Sequence, residues 1–189
     1  MAEAEYDKEE RGKEAYYTLS GDVNNDMVSR VFDGTARMSE DGITTAHILF
    51  HSHGGYVSDG ICLYNYLSNL PVNIVMYNCG VVASIGVIVF LSGHRRVAAD
   101  TARFMIHKSH ATPPSGVRSD ALKIIADGLI ADDARTESIL NKHLTLTPAQ
   151  WKVHDHSDLH IAAIDACAAG MVESLGDFKP PRGARIIAL

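Results

Sequence analysis

Val72-Asn73-Ile74-Val75-Met76-Tyr77-Asn78-Cys79-Gly80-Val81-Val82-Ala83-Ser84-Ile85-Gly86-Val87-Ile88-Val89-Phe90-Leu91-Ser92-Gly93 is the stretch on which the fold turns. Its first part, Val72–Tyr77, is rich in β-branched residues and predicts a strand. Asn78-Cys79-Gly80 predicts a turn. The apolar run from Gly80 to Gly93 then predicts a core helix, because a bilayer span needs ~20 apolar residues. One hydroxyl interrupts that run early. Ser84, with Ala83 before it and Gly86 two residues on, lies at the start of the helix, where backbone N–H groups and the helix dipole favour developing negative charge. A serine so placed is a candidate nucleophile if a base reaches it. The plainer reading is a buried serine bonded back to its own helix.

Working outward, Ala46–His51 (AHILFH) predicts a second strand, followed at once by Gly54-Gly55 and a helix from about Ser58 to Leu70 that Pro71 stops. Tyr16–Leu19 predicts an earlier strand, and Asn24 or Asn25 a cap for a helix reaching about Met38. Downstream, Arg95–Ala98 and Arg103–His107 (RFMIH) predict strands. Ser119 to about His143 is the longest helical stretch, interrupted at Gly128. Thr147-Pro148 opens a short helix. Ile161–Ala169 predicts another, ending at Gly170, and Met171–Leu175 a returning strand. This alternation is the pattern of repeated βαβ units, so the expected class is α/β with a largely parallel sheet in a single domain. Residues 1–14 are expected to form a flexible acidic arm, 15–176 the folded domain, and 177–189 a loose C-terminal tail.

The chain has 189 residues, 46% hydrophobic and 21% charged, as expected for a soluble globular domain. A formal net charge of −6 argues against a nucleic-acid or anionic-membrane surface. Cys62, Cys79 and Cys167 lack metal-like spacing and have apolar neighbours, which predicts buried thiols in a reducing compartment. The charged N-terminus has no apolar core of a secretory signal, and the expected location is cytoplasmic. Among ten histidines, His51 and His53 share a strand face without a third ligand. His154, His156 and His160 cluster with Asp155 and Asp158 in what reads as a solvated loop. No metal or other cofactor is expected. His110 and His143 read as surface residues, and Asp132-Asp133 as a solvated helix face.

In a parallel sheet the working residues gather at strand ends and the helix starts that follow. His107 ends the strand RFMIH and is the candidate base for Ser84, provided that strand neighbours the strand before Ser84. Asp155 and Asp158 are candidates for the acid that would orient it. The N–H groups of Gly55, in a Gly-Gly turn after a strand, and of Ile85, beside the nucleophile, are candidate oxyanion donors.

These segments carry a resemblance. Phe50-His51-Ser52-His53-Gly54-Gly55-Tyr56-Val57-Ser58-Asp59-Gly60 resembles the strand–Ser-Pro-Gly-Gly–helix segment of the Clp protease proteolytic subunits. Gly80-Val81-Val82-Ala83-Ser84-Ile85-Gly86 resembles that family's Gly-x-Ala-Ala-Ser-Met-Gly nucleophile segment, and Arg103–His107 its Arg-x-Met-Ile-His segment. Asp158, twelve residues before Gly170, falls where the family has its catalytic aspartate. The order Ser, His, Asp also fits, and the likeness covers about residues 16 to 175. It implies a crotonase-like, ClpP-like fold with a helical handle from Ser119, and a serine endopeptidase. Ser84, His107 and Asp158 would form the triad, with Gly55 and Ile85 as oxyanion hole. It also implies a homo-oligomeric ring, a heptamer or two stacked into a tetradecamer, that encloses its sites and acts on polypeptide substrates.

The chain departs from the family pattern at several places. Lys108-Ser109 stands for the family's Gln-Pro, Ser157 for an Arg that couples rings, and His53 for a Pro. A short acidic arm stands where the family has an apolar segment and axial loop that contact an AAA+ unfoldase, so a standard unfoldase partnership is not expected. Two other classes compete with the peptidase. One is a crotonase-type acyl-CoA enzyme, which would call for carboxylates that are missing between Asn78 and Gly93. The other is a catalytically inactive ring subunit. A serine–lysine peptidase using Lys108 is a further variant, but His107 fits the base better.

Overall fold

The computed structural model describes residues 12–189. Most of the arm expected over residues 1–14 therefore lies outside the described residues, while Lys13 and Glu14 already belong to a strand. The elements in chain order are β1 (Lys13–Ser20), α1 (Asn25–Glu40), β2 (Ile43–His51), α2 (Val57–Leu67), β3 (Asn73–Asn78), β4 (Val81–Ala83), α3 (Ile85–Phe90), β5 (Arg95–Ala98) and β6 (Arg103–Ile106). They continue with α4 (Ser119–His143), α5 (Pro148–His154), β7 (Leu159–Ala162), α6 (Ala163–Ala168), β8 (Ser174–Leu175) and β9 (Ile186–Ala188).

Two sheets result. The larger has the strand order β8-β5-β3-β2-β1-β9, and every neighbouring pair is parallel. The smaller has the order β4-β6-β7, with β4 and β6 parallel and β6 and β7 antiparallel. The α/β class and its βαβ units are as expected. A parallel sheet covered by helices needs strands apolar on both faces, and Ile74, Val75 and Met76 of β3 are all buried. Phe50, Phe90 and Phe104, from three different elements, are fully buried at the centre. Asn24 caps α1 by accepting from the Met27 N–H at 3.0 Å. Thr147 and Gln150 form a capping box that starts α5.

Several sequence expectations are corrected. The apolar run is not one helix. Val81–Ala83 pair with Arg103–Met105 as a strand, and only Ile85–Phe90 are helical. Helix α4 runs unbroken through Gly128. The helix expected over Ile161–Ala169 forms over Ala163–Ala168, while its first two residues belong to β7, a strand that alternates buried and exposed residues. The tail is not loose throughout, since β9 adds to the edge of the sheet beside β1 and Leu189 is buried. Arg30 donates to the carbonyl of Leu189, holding the end of the chain against α1.

The cysteines are not core residues: Cys62 and Cys79 are exposed and Cys167 is half-buried. Cys62 lies between the buried Ile61 and Leu63 on the outward side of α2, and Cys79 sits in the turn between β3 and β4. Nor is His143 a surface residue. It is half-buried, with Nε2 2.9 Å from the Tyr64 hydroxyl, joining α4 to α2. Burial, with Arg96 and Lys142 adding to it against Glu173, lowers its pKa. Burial likewise lowers that of His47, against an opposing pull from Glu14. A histidine whose folded pKa is depressed binds a proton more readily when unfolded, so the stability it supports is present above the unfolded pKa, ~6.5, and falls as pH falls below it. Thermal melting is expected at a lower temperature at pH 5.5 than at pH 7.5, and His143→Gln should flatten that slope. A variant slope as steep as the parent's would remove His143 from the account.

Candidate active site

The site is built at one end of β4. Asn78, fully buried at the end of β3, accepts from the Gly80 N–H at 2.9 Å through Oδ1. Its amide donates to the Arg103 carbonyl at 3.0 Å. One buried amide thus turns the chain out of the large sheet and aligns β4 with β6. Ser52, 1% exposed, does the same from the position just after β2. Its carbonyl accepts from the Ala83 N–H at 2.9 Å, its N–H donates to the Val81 carbonyl at 3.3 Å, and its hydroxyl accepts from the Gly54 N–H at 3.1 Å. The Gly54-Gly55 turn is thereby fixed beside Ser84. Neither Ser52 nor Asn78 was identified from sequence as part of the site. The available signal was a polar residue at the end of each apolar strand.

Ser84 joins β4 to α3 with φ 55° and ψ −134°, and it is the only non-glycine residue with positive φ among the described residues. Such a conformation costs of order 1–3 kcal/mol and persists where surrounding bonds over-determine it. Here the Ser84 N–H donates to the Met105 carbonyl at 2.7 Å, and the Ser84 carbonyl accepts from the Val87 N–H at 3.0 Å. The sharp turn lifts the hydroxyl away from its own helix, where it makes no capping bond. It meets His107 instead, with Ser84 Oγ 2.8 Å from His107 Nε2. With the imidazole neutral and its proton on Nδ1, the hydroxyl donates to Nε2, as general-base activation requires. The strand that brings His107 into reach is β4, paired with β6, and not Val72–Tyr77.

Gly55 has φ +154°, and a Cβ there would stand 2.1 Å from the Val23 carbonyl oxygen. Val23 bonds to the Gly54 carbonyl and the Tyr56 N–H, each at 2.8 Å. In a parallel bridge of this kind the Gly55 N–H points away from Val23. At Gly54, φ +115°, a Cβ would lie 2.6 Å from that of Ser84. The Ile85 N–H, first in its helix, has no partner within α3. Gly55, Ser84, Ile85 and His107 line one cleft of about 270 Å³. Its apolar wall includes Ile88, Ile106 and Leu140. Gly55→Ala is therefore expected to displace the turn and lower the melting temperature, and an unchanged melting temperature would show that the turn accommodates the methyl group.

Asp158 is exposed, and among the described residues no hydrogen bond joins it to His107. It nonetheless lies one rung beyond the β6–β7 ladder, where Ile106 faces Leu159. The His107 ring packs on that of His110, with centroids 5.1 Å apart. Asp155, the other candidate acid, is engaged with Lys108 at 3.5 Å. Lys108 Nζ is bonded to Glu137, and the Ser109 N–H donates to Asp133 at 2.6 Å, so the segment after His107 is fastened to α4. Burial opposes the Lys108 charge, but Glu137, Asp133 and Asp155 outweigh it and its pKa is raised. Asp133 is thus a staple rather than part of a solvated face, and Asp132 lines the cleft. His154, expected in a solvated loop, is 2% exposed. Burial and then Lys108 lower its pKa, outweighing Glu137.

Comparisons with known proteins place the chain in a family. The Clp protease family model matches residues 4–178. The ATP-dependent Clp protease proteolytic subunit of Streptococcus pyogenes serotype M5 (strain Manfredo) is 23% identical over 166 residues, 86% of this chain and 85% of that protein. The protein of the same description from Streptococcus equi subsp. equi (strain 4047) matches with the same identity and coverage. Among solved structures, the ClpP1 N165D mutant from Listeria monocytogenes superposes with a TM-score of 0.70 at 20% identity, covering 89% of this chain and 92% of that one. The fold is therefore the crotonase-like, ClpP-like one that the sequence predicts. The match of the family model over most of the chain establishes that it belongs to the Clp protease family.

Proposed function

We propose that the protein is a serine endopeptidase that cleaves peptides or unfolded polypeptides through an acyl-enzyme, inside a ring of its own copies. The observation that carries this reading is the 2.8 Å contact between Ser84 Oγ and His107 Nε2. Ser84 attacks the peptide carbonyl while His107 takes its proton. The resulting oxyanion is held by the N–H groups of Gly55 and Ile85, and His107 returns the proton to the leaving amine. Water then repeats the sequence on the ester. Asp158 is the acid that accepts from His107 Nδ1 once the end of the β6–β7 ladder closes by one rung. The apolar wall of the cleft favours an apolar side chain next to the scissile bond.

Ring formation is supported by α4, which spans 25 residues yet buries only Ile139 and Leu140. It leaves Leu122, Ile124 and Ile130 exposed. A helix with that much unpartnered apolar surface calls for a second surface to cover it. The relatives named above are subunits of ATP-dependent proteases, and by that likeness we propose a heptameric ring, single or stacked as a tetradecamer. No helix among the described residues is long and apolar enough to cross a membrane; the cytoplasmic location is proposed by likeness to the relatives named above. A second reading, an inactive ring subunit, is favoured by one observation, the missing bond between Asp158 and His107.

The test is turnover of a fluorogenic peptide and of an acyl-CoA by the purified protein, with the mass of its assembly measured by sedimentation. Peptide hydrolysis by a ring-sized particle is the expected result. A ring-sized particle that turns over neither substrate is an inactive subunit, and acyl-CoA turnover assigns the crotonase-type chemistry.

A further inference from the structure

Beside the cleft, the chain carries a cluster that peptide hydrolysis does not use. One carboxylate oxygen each from Glu137 on α4 and Asp155 after α5, and a ring nitrogen of His154, lie within 4.8 Å of one another. His154 is 2% exposed, and its Nδ1 has no hydrogen-bond partner among the described residues. That nitrogen lies 3.9 Å from Glu137 Oε1, so it faces the carboxylates. The present cation of the cluster is the Lys108 ammonium, bonded to Glu137 and 3.5 Å from Asp155. A single ammonium offsets one of the two carboxylate charges and leaves the buried imidazole nitrogen without a partner among the described residues. Buried polar atoms are normally satisfied, and an orphan calls for an explanation.

We propose that Glu137, His154 and Asp155 form a binding site for a divalent cation of the zinc class, which replaces the Lys108 ammonium. The donor set is one imidazole nitrogen and two carboxylate oxygens, with a fourth position left for water. Imidazole selects zinc and its neighbours over magnesium or calcium, which take all-oxygen shells. Zinc holds such donors at about 2.0–2.2 Å, so the three groups must draw in towards one point. His154 is fixed by burial, whereas Glu137 and Asp155 have side chains 29% and 48% exposed and can close on the ion. Lys108, with a side chain 32% exposed, has solvent to swing into. Because Lys108 directly follows His107, cation binding exchanges the anchor on the segment that carries the candidate base. The ion takes up the two carboxylate charges that the ammonium gives up, and no covalent or redox step is involved.

Binding is read without turnover, so its outcome is independent of the hydrolytic reading. Calorimetric titration of the metal-free full-length protein with Zn2+ is expected to show one strong event. The double variant Glu137→Gln, Asp155→Asn, which keeps the buried His154, should lose that event. Lys108→Met removes the competing cation and should bind Zn2+ about tenfold more tightly, the factor expected for removing a charged hydrogen-bond partner. Co2+ should give the visible bands of a four-coordinate site in the parent and none in the double variant. Weak binding by exposed histidines such as His51 and His53 would persist in every variant. Equal Zn2+ affinity in the parent and the double variant would overturn the proposal, as would a Lys108→Met protein that binds no more tightly than the parent.

Discussion

Ser84→Ala is expected to lower kcat for a fluorogenic peptide by on the order of 10⁶, the scale seen when a nucleophile that acts as a unit with its base is removed. The change deletes one oxygen and keeps the Cβ, so the φ of 55° at this position is no harder to hold than before. The bonds that shape the turn, from the Ser84 N–H to Met105 and from the Val87 N–H to the Ser84 carbonyl, involve only backbone. Assembly mass and melting temperature should therefore match the parent. His107 loses its partner at Nε2, and the proposed oxyanion donors, the Gly55 and Ile85 N–H groups, then face no attacking group. A variant that keeps its fold and hydrolyses peptide within tenfold of the parent would remove Ser84 from the chemistry.

Asp158→Asn is expected to lower kcat by about 10⁴ with little change in KM, the loss that follows when the base is held in the wrong tautomer. For His107 Nε2 to accept from Ser84, the ring proton must sit on Nδ1, and an acceptor there fixes both tautomer and rotation. Asp158 follows Ser157, whose N–H donates to the Val153 carbonyl at 2.8 Å, and it enters β7 opposite the end of β6. The aspartate is exposed where the structure describes it, so its substitution should not affect stability. A loss smaller than tenfold would mean that Ser84 and His107 work as a pair, with Lys108 and Ser109 rather than Asp158 keeping the histidine in place.

The βαβ organisation was legible because its signals are local. Asn24 before an amphipathic run, Gly54-Gly55 after AHILFH, Pro71 after a helix and the β-branched VNIVMY each mark a boundary by their own chemistry. The meeting of Ser84 and His107 was legible only as a condition, that RFMIH neighbour the strand before Ser84, and the strand that meets it is β4 rather than the expected Val72–Tyr77. Strand β4 was not legible, because Val81–Ala83 run into α3 with only Ser84 between them and no glycine, proline, asparagine or aspartate to mark the turn. Periodicity cannot divide a continuous apolar run into strand and helix. What divides it is long-range, namely the bridge from Ser52 to Val82 and the Asn78 amide. The same limit explains β7 and β9, short strands defined by partners far away in sequence. Asp132-Asp133 and His154 read as solvated groups because each is polar and near other polar residues. Only the packing of α4 against the segment after His107 shows that Glu137, Asp133 and Lys108 meet, and that His154 is buried beneath them.

The central claim is that Ser84 is an armed nucleophile, and reaction of the assembled protein with a fluorophosphonate probe, mapped by peptide mass spectrometry, tests it most directly. A phosphonyl adduct on the peptide containing Ser84, absent in Ser84→Ala and formed far more slowly in His107→Ala, is the result this account predicts. Ring-sized protein that acquires no adduct at Ser84, or that carries it on another serine, would contradict it.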